Sequence, residues 1–163
     1  MRKKVWGLLL ACAAWSSVYP AGKREVESSH SCKYDLLKAH GTSGWVQIDL
    51  KNGQVDKLEF SGRFPVRGDA DFHCTIAADR SKSDQAWKNS GRSVTIEFKR
   101  VMDPEHDLVK IFRKNNGYLV DLSEASSVEN CGTAAELPER VFVPLSSGRC
   151  KVKLRYWTVR LGE

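Results

Sequence analysis

The chain has 163 residues, 28% of them charged and 41% hydrophobic, which suits one globular domain and excludes a disordered or low-complexity protein. Its formal charge is +6, but three of the 26 basic residues are Arg2, Lys3 and Lys4, and without them the excess over the 20 acidic residues falls to +3. So weak a bias does not argue for a nucleic-acid partner, and the export signal described next argues against one; the lack of internal repeats excludes a solenoid.

Arg2, Lys3 and Lys4 precede an apolar stretch from Val5 to Ala14. Ten residues are too few to cross a bilayer as a helix but suit the core of an export signal. Two processing outcomes are open. Leu9-Leu10-Ala11-Cys12 resembles the lipobox of bacterial lipoproteins, with Cys12 as the lipidated residue, whereas Ala14-Trp15-Ser16 resembles a small-x-small cleavage site that releases a soluble protein. Residues 1–16 are therefore assigned to a signal segment, the polar residues 17–31 to a flexible tether and 32–163 to a single folded body.

From Cys32 to Ala39 the pattern leans to a strand. Val46, Ile48 and Leu50, and then Leu58 and Phe60, alternate with polar residues around Asn52-Gly53, which predicts a hairpin. A three-residue loop, Lys51-Asn52-Gly53, with a bulge at Gly53 and Val46 opposite Leu58, keeps the apolar side chains on one face. Phe72, Cys74 and Ile76 predict another strand, Ser83 to Gly91 a short helical turn, and Val94, Ile96 and Phe98 a further strand. Val109 to Arg113 and Tyr118 to Leu122 form a hairpin turning at Asn116-Gly117, with Ile111 opposite Leu122. The last hairpin joins Val141–Leu145 to Cys150–Leu154 through Ser147-Gly148, with Val143 opposite Val152. A change of parity near Tyr156 indicates a bulge. Seven or eight short strands with at most one short helix give an all-β antiparallel sandwich or barrel.

Five cysteines become four once Cys12 is removed or lipidated. Cys32, Cys74, Cys131 and Cys150 then form a disulfide framework in an oxidising compartment, with the protein in the periplasm, at the outer membrane as a lipoprotein, or secreted. Pairing of near neighbours, Cys32–Cys74 and Cys131–Cys150, is the preferred of the three connectivities. No CxxC occurs, so neither a zinc ribbon nor a redox motif is indicated.

No catalytic constellation emerges. His73-Cys74 is not a base–nucleophile pair, because neighbours on a strand face opposite ways. Asp103-Pro104-Glu105-His106-Asp107 reads as a polar loop rather than a metal site, and HExxH, GxSxG and glycine-rich phosphate loops are all missing. The expectation is a non-enzyme with no metal and no cofactor. Trp45, Trp87 and Trp157 read as core residues before interface anchors. The most coherent surface feature is a basic stripe, Lys151, Lys153 and Arg155, with Arg140 and Arg149 near it. It is the candidate surface for an exported or envelope protein partner, although lysines on an edge strand also guard against aggregation. Size and disulfides resemble those of the bacterial lysozyme inhibitors, without a motif of that family. The expectation is thus an exported binding protein, an inhibitor or immunity protein against an envelope-targeting hydrolase. The alternative is an envelope lipoprotein with a structural or assembly role.

Overall fold

A computed structural model describes residues 27–36, 41–65, 71–99, 107–132, 135, 137–146 and 148–154. The strands among them are β1 (Glu27–Leu36), β2 (Thr42–Lys51), β3 (Gln54–Pro65), β4 (Asp71–Asp79), β5 (Gln85–Ser90), β6 (Ser93–Phe98), β7 (Leu108–Lys114), β8 (Gly117–Asp121), β9 (Arg140–Pro144), β10 (Gly148–Arg149) and β11 (Lys151–Lys153). A single short helix among the described residues, α1 (Ser127–Cys131), follows β8. The strands form two sheets, ordered β10-β1-β2-β3-β4 and β11-β9-β8-β7-β6-β5. Alternation decides which side chains face inward. Cys32, Val46, Phe60 and Ile76 lie across one row of the first sheet, and Ile96, Val109, Ile111, Val120 and Val141 line the second. All are nearly inaccessible, and together they form one core between the two inner faces.

The expected all-β fold with at most one short helix is present as a sandwich, but the helix lies elsewhere in the chain and the registers differ. Asn52 and Gly53 both take positive φ, 52° and 74°, so they alone make the β2–β3 loop, and Lys51 faces Gln54. That register would put Lys57 opposite Ile48. One extra residue, Asp56, restores the phase, so that Ile48 faces Leu58 and Val46 faces Phe60 rather than Leu58. The bulge therefore sits in β3 and not at Gly53. The β7–β8 turn is Asn115-Asn116, one residue earlier than predicted, and Ile111 faces Val120. Gly117 belongs to the strand because the Val143 carbonyl and the Phe142 ring would lie 2.3 and 2.6 Å from any Cβ there. Residues 85–90 of the predicted helical turn form strand β5, since Trp87 adds to the inner row beside Ile96. Residues 27–31 of the predicted tether are the start of β1. The change of parity at Tyr156 and residues 1–26 lie outside the described residues.

The end of the described chain belongs to both sheets. Gly148 and Arg149 pair parallel with Cys32 and Lys33 of the first sheet, and the Cys150 amide donates to the Lys33 carbonyl at 3.0 Å. Lys151–Lys153 then pair with β9 of the second. This detour shifts the last hairpin by two residues, so Val152 faces Val141 instead of Val143, and the even shift leaves it on the same face.

Disulfides fix two corners. Cys32 bonds Cys150 at the place where the chain changes sheets, and Cys74 of β4 bonds Cys131 of α1. The near-neighbour pairing is therefore overturned. Cys32 and Cys74 belong to β1 and β4, strands of one sheet with β2 and β3 between them. At about 4.8 Å per strand their backbones lie far beyond disulfide reach.

One inward row is built around Tyr34, which lies across Gly44 and Gly62 toward Cys74. A Cβ at Gly44 would meet its hydroxyl at 2.6 Å, and one at Gly62 at 2.8 Å. The ring thus takes the volume that two side chains would fill. Its hydroxyl finds no hydrogen-bond partner among the described residues, and the neighbouring Thr42 hydroxyl donates to the Arg63 carbonyl. Burial pushes the phenol up to about 12.

The two disulfides are nested, so each closes a loop of about 60 residues when the other is in place, and by the chain-entropy relation replacing either pair with serine costs about 4 kcal/mol. Denaturant unfolding measures both losses, and a Cys32–Cys74 peptide in a non-reducing digest would contradict the pairing. Folding raises the Tyr34 pKa from 10.0 to about 12, so its stabilising neutral form is fully present below pH 10 and is lost as pH rises toward 12. The loss amounts to roughly 3 kcal/mol at most. Tyr34→Phe should match the parent within about 1 kcal/mol at pH 7 and lack this part of the alkaline loss; equal alkaline sensitivity in both proteins would refute the assignment.

Candidate ligand-binding end of the sandwich

Three hairpin turns lie at one end of the sandwich, Asn52-Gly53, Gly91-Arg92 and Asn115-Asn116. Between the first two, where the sheets face each other, is a well of about 130 Å³ whose lining includes Gly53, Val55, Gly91, Val94, Ile111 and Tyr118. Val55, Ile111 and Tyr118 are core residues, so the well opens directly onto the buried interior. A shallower hollow of about 510 Å³ adjoins it, lined by Arg92, Ser93, Phe112, Arg113, Lys114, Asn115 and Asn116. The two share Arg92, Ser93 and Arg113.

The local chain explains why the cations meet here. The Arg113 amide donates to the Arg92 carbonyl at 2.8 Å, joining the ends of two successive hairpins. The Arg92 guanidinium donates to Asn115 Oδ1 at 3.2 Å, and the Lys114 ammonium stands 5.5 Å from the centre of the Phe112 ring. Among the described residues, no carboxylate lines either hollow. Three positive groups beside amide, hydroxyl and aromatic neighbours make a surface of positive potential suited to an anionic ligand.

Arg80 holds this end in shape. Its backbone amide donates to the Asp56 carbonyl at 3.1 Å and its Nε to the Val55 carbonyl at 2.7 Å. The two carbonyls belong to the β3 bulge, so one residue supplies partners that the interrupted ladder leaves without a strand neighbour. Its other nitrogen donates to Asn89 Oδ1 at 2.7 Å, and its guanidinium lies 4.6 Å over the Trp87 ring. Asn89 in turn donates to Gln54 Oε1 at 3.4 Å, a long contact across the mouth of the well. Nearby, Asp79 ends β4. The hydroxyl and amide of Ser81, with help from Lys57, outweigh its desolvation and hold its carboxyl down to about 2. Gln85 bridges the sheets beside it, accepting from the Asp79 amide at 2.8 Å and donating to the Ala77 carbonyl at 3.2 Å.

Of the predicted stripe, Lys151 and Lys153 are exposed on β11. Lys153 is tied to Glu139 at 2.8 Å, while Arg140 pairs with Asp121 at 3.0 Å and reaches Glu139 at 3.7 Å. Burial pushes the Asp121 carboxyl up, but bonds from Ser123 and Arg140 outweigh it and leave it below its usual value. That stripe is therefore partly neutralised by its own neighbours. Arg155, Trp157 and Cys12 lie outside the described residues, as do residues 103–106. Asp107 is buried and its Oδ1 accepts from the Ser126 amide at 2.9 Å, holding the start of α1. His73 is exposed on the opposite side of β4 from the disulfide-bonded Cys74. Trp45 is half-buried on the outer face of the first sheet, and Trp87 faces inward from edge strand β5. Among the described residues, no three His, Cys, Asp or Glu side chains gather as a metal site. Arg92, Arg113 and Lys114 escaped the sequence reading because a whole hairpin separates Arg92 from Arg113. The available signal was a basic residue beside each of two successive turns, Gly91-Arg92 and Arg113-Lys114-Asn115-Asn116.

Replacing Arg80 with alanine should cost about 1–3 kcal/mol, since it keeps the backbone bond to Asp56 but leaves the Val55 carbonyl without its side-chain donor and uncovers Trp87. Thermal unfolding reads the loss and tryptophan emission the exposure of Trp87. Unchanged values for both would show that the bulge is held by other contacts.

Comparison with known protein families, curated proteins and solved structures finds no match to this chain.

Proposed function

We propose that this is an exported bacterial binding protein that engages its partner through the cation-lined end of the sandwich. The reading is carried by one observation: Arg92, Arg113 and Lys114 line a hollow at which no described residue places a carboxylate, beside a preformed apolar well. Two disulfides at fixed corners are the chemistry of an oxidising compartment outside the cytoplasm. Loops held by a rigid β scaffold are well suited to recognition. An inhibitor or immunity protein against an envelope-targeting hydrolase fits this description, because glycan-cleaving clefts carry paired carboxylates that a positive surface complements.

A second reading has its own support. Leu9-Leu10-Ala11-Cys12 would place a lipid on Cys12, and an envelope role through tethering, in the periplasm or at the outer membrane, then needs no tight soluble partner.

The deciding experiment is capture from envelope and secreted proteins with the exported, oxidised protein and with an Arg92→Glu/Arg113→Glu variant, at low and high salt. One dominant partner, retained by the parent and lost by the variant, is the expected outcome, followed by inhibition of that partner's activity. Retention by this variant but loss from Lys151→Glu/Lys153→Glu would move the contact to β11. No partner at either salt would favour the tethered role and make the mass of the Cys12 peptide the next measurement.

A further inference from the structure

We infer that the ligand of this end is an acidic polypeptide segment that places a carboxylate between Arg92 and Arg113 and a neighbouring apolar side chain in the well. The inference rests on the binding-protein reading above and adds the chemistry of what is bound.

Two features select this class of ligand. The cationic hollow and the apolar well are contiguous and share Arg92, Ser93 and Arg113. A ligand that satisfies both has a negative group and an apolar group about one residue apart. Inorganic phosphate and sulfated or phosphorylated sugars satisfy the cations but bring nothing to fill a well floored by Val55, Ile111 and Tyr118. A carboxylate beside an aliphatic side chain satisfies both, and a guanidinium can grip it with two parallel hydrogen bonds. The well's volume, about 130 Å³, is on the scale of one aliphatic side chain.

The rim also leaves room for a polypeptide backbone. Gly53 and Gly91 line the well with φ of 74° and 55°, and a Cβ added at either would meet nothing within 4 Å. These turns therefore stand in open space, and their conformations suit residues without side chains. The Asn89–Gln54 contact and the Arg80 clamp join the two turns, so the well needs little ordering when a ligand enters. Lys114, held over Phe112, supplies a third cation for a second acidic residue along the segment.

The test is a titration of the exported, oxidised protein, followed by methyl and arginine side-chain NMR. The probes are an acetylated Gly-Asp-Leu-Asp-Gly amide, the same peptide with asparagine for both aspartates, the same peptide with glycine for leucine, and pyrophosphate. Val94 and Ile111 methyl signals and Arg92 and Arg113 side-chain signals should move together with the first peptide. Its affinity should fall by roughly tenfold or more in Arg113→Glu, and on loss of either the charges or the leucine. Tighter binding of pyrophosphate without methyl shifts would overturn the polypeptide assignment in favour of a phosphate-bearing ligand. Equal binding of the asparagine peptide would overturn the role of the cations. Should none of the probes shift these signals while capture still depends on Arg92 and Arg113, the ligand chemistry fails and the binding-protein reading stands. Should the peptide bind and capture find no partner, the reverse holds.

Discussion

The bond between Cys32 and Cys150 is the constraint on which the sandwich depends. Two stacked sheets share no backbone ladder, and their inner faces are held mainly by burial, which is strong but non-directional. Here the chain itself crosses from one sheet to the other within six residues. Gly148 and Arg149 pair with β1, and Lys151 to Lys153 pair with β9. Cys150 sits between the two pairings and is bonded to the strand it has just left. That bond sets the spacing of the sheets at one edge. Along the other, Gln85 spans from β5 to β4, and the Cys74–Cys131 bond fastens α1 to β4. With the edges set, Val46, Ile48, Ile111 and Val120 have one arrangement in which all are excluded from water.

The bulge at Asp56 links this framework to the candidate site. It exists because Asn52-Gly53 fixes a two-residue loop while the apolar pattern of β3 requires a different phase. The conflict is resolved by one extra residue, and Arg80 accommodates the carbonyls that residue disturbs. Arg80 also reaches across to Asn89 and Trp87 of the second sheet. The device that corrects a register error thereby becomes a clamp between two turns and sets the mouth of the apolar well.

Much of the architecture was legible in residue alternation. Val46–Ile48–Leu50 and Val94–Ile96–Phe98 alternate because one face is buried, and the structure buries that face. What alternation does not carry is any information about partners across the core. Nothing in the neighbourhood of Cys32 distinguishes Cys74 from Cys150, because the answer depends on which strands lie between them. Registers failed for a related reason. Gly117 reads as a turn residue until the Phe142 ring, 25 positions away, is found where its side chain would be. The candidate site was legible only in its ingredients. Arg92 and Arg113 are unremarkable in the sequence and become neighbours through a single backbone hydrogen bond between hairpins. The basic alternation of Lys151 and Lys153 was conspicuous, yet Glu139 already answers part of it.

The order of the two disulfides along the chain has a consequence for biogenesis. They are nested: of the four bonded cysteines, the first pairs with the last and the second with the third. A polypeptide that emerges N-terminus first into an oxidising compartment presents Cys32 and Cys74 as thiols before either native partner has arrived. An oxidase acting on thiols in order of arrival joins those two, which the finished sandwich holds apart by two intervening strands. Reaching the native pairs then requires thiolate attack on that early bond and exchange through mixed disulfides. Under that order of oxidation, maturation depends on the compartment's capacity to reshuffle disulfides as well as to form them. The yield of folded protein should therefore follow isomerase activity more closely than oxidising strength.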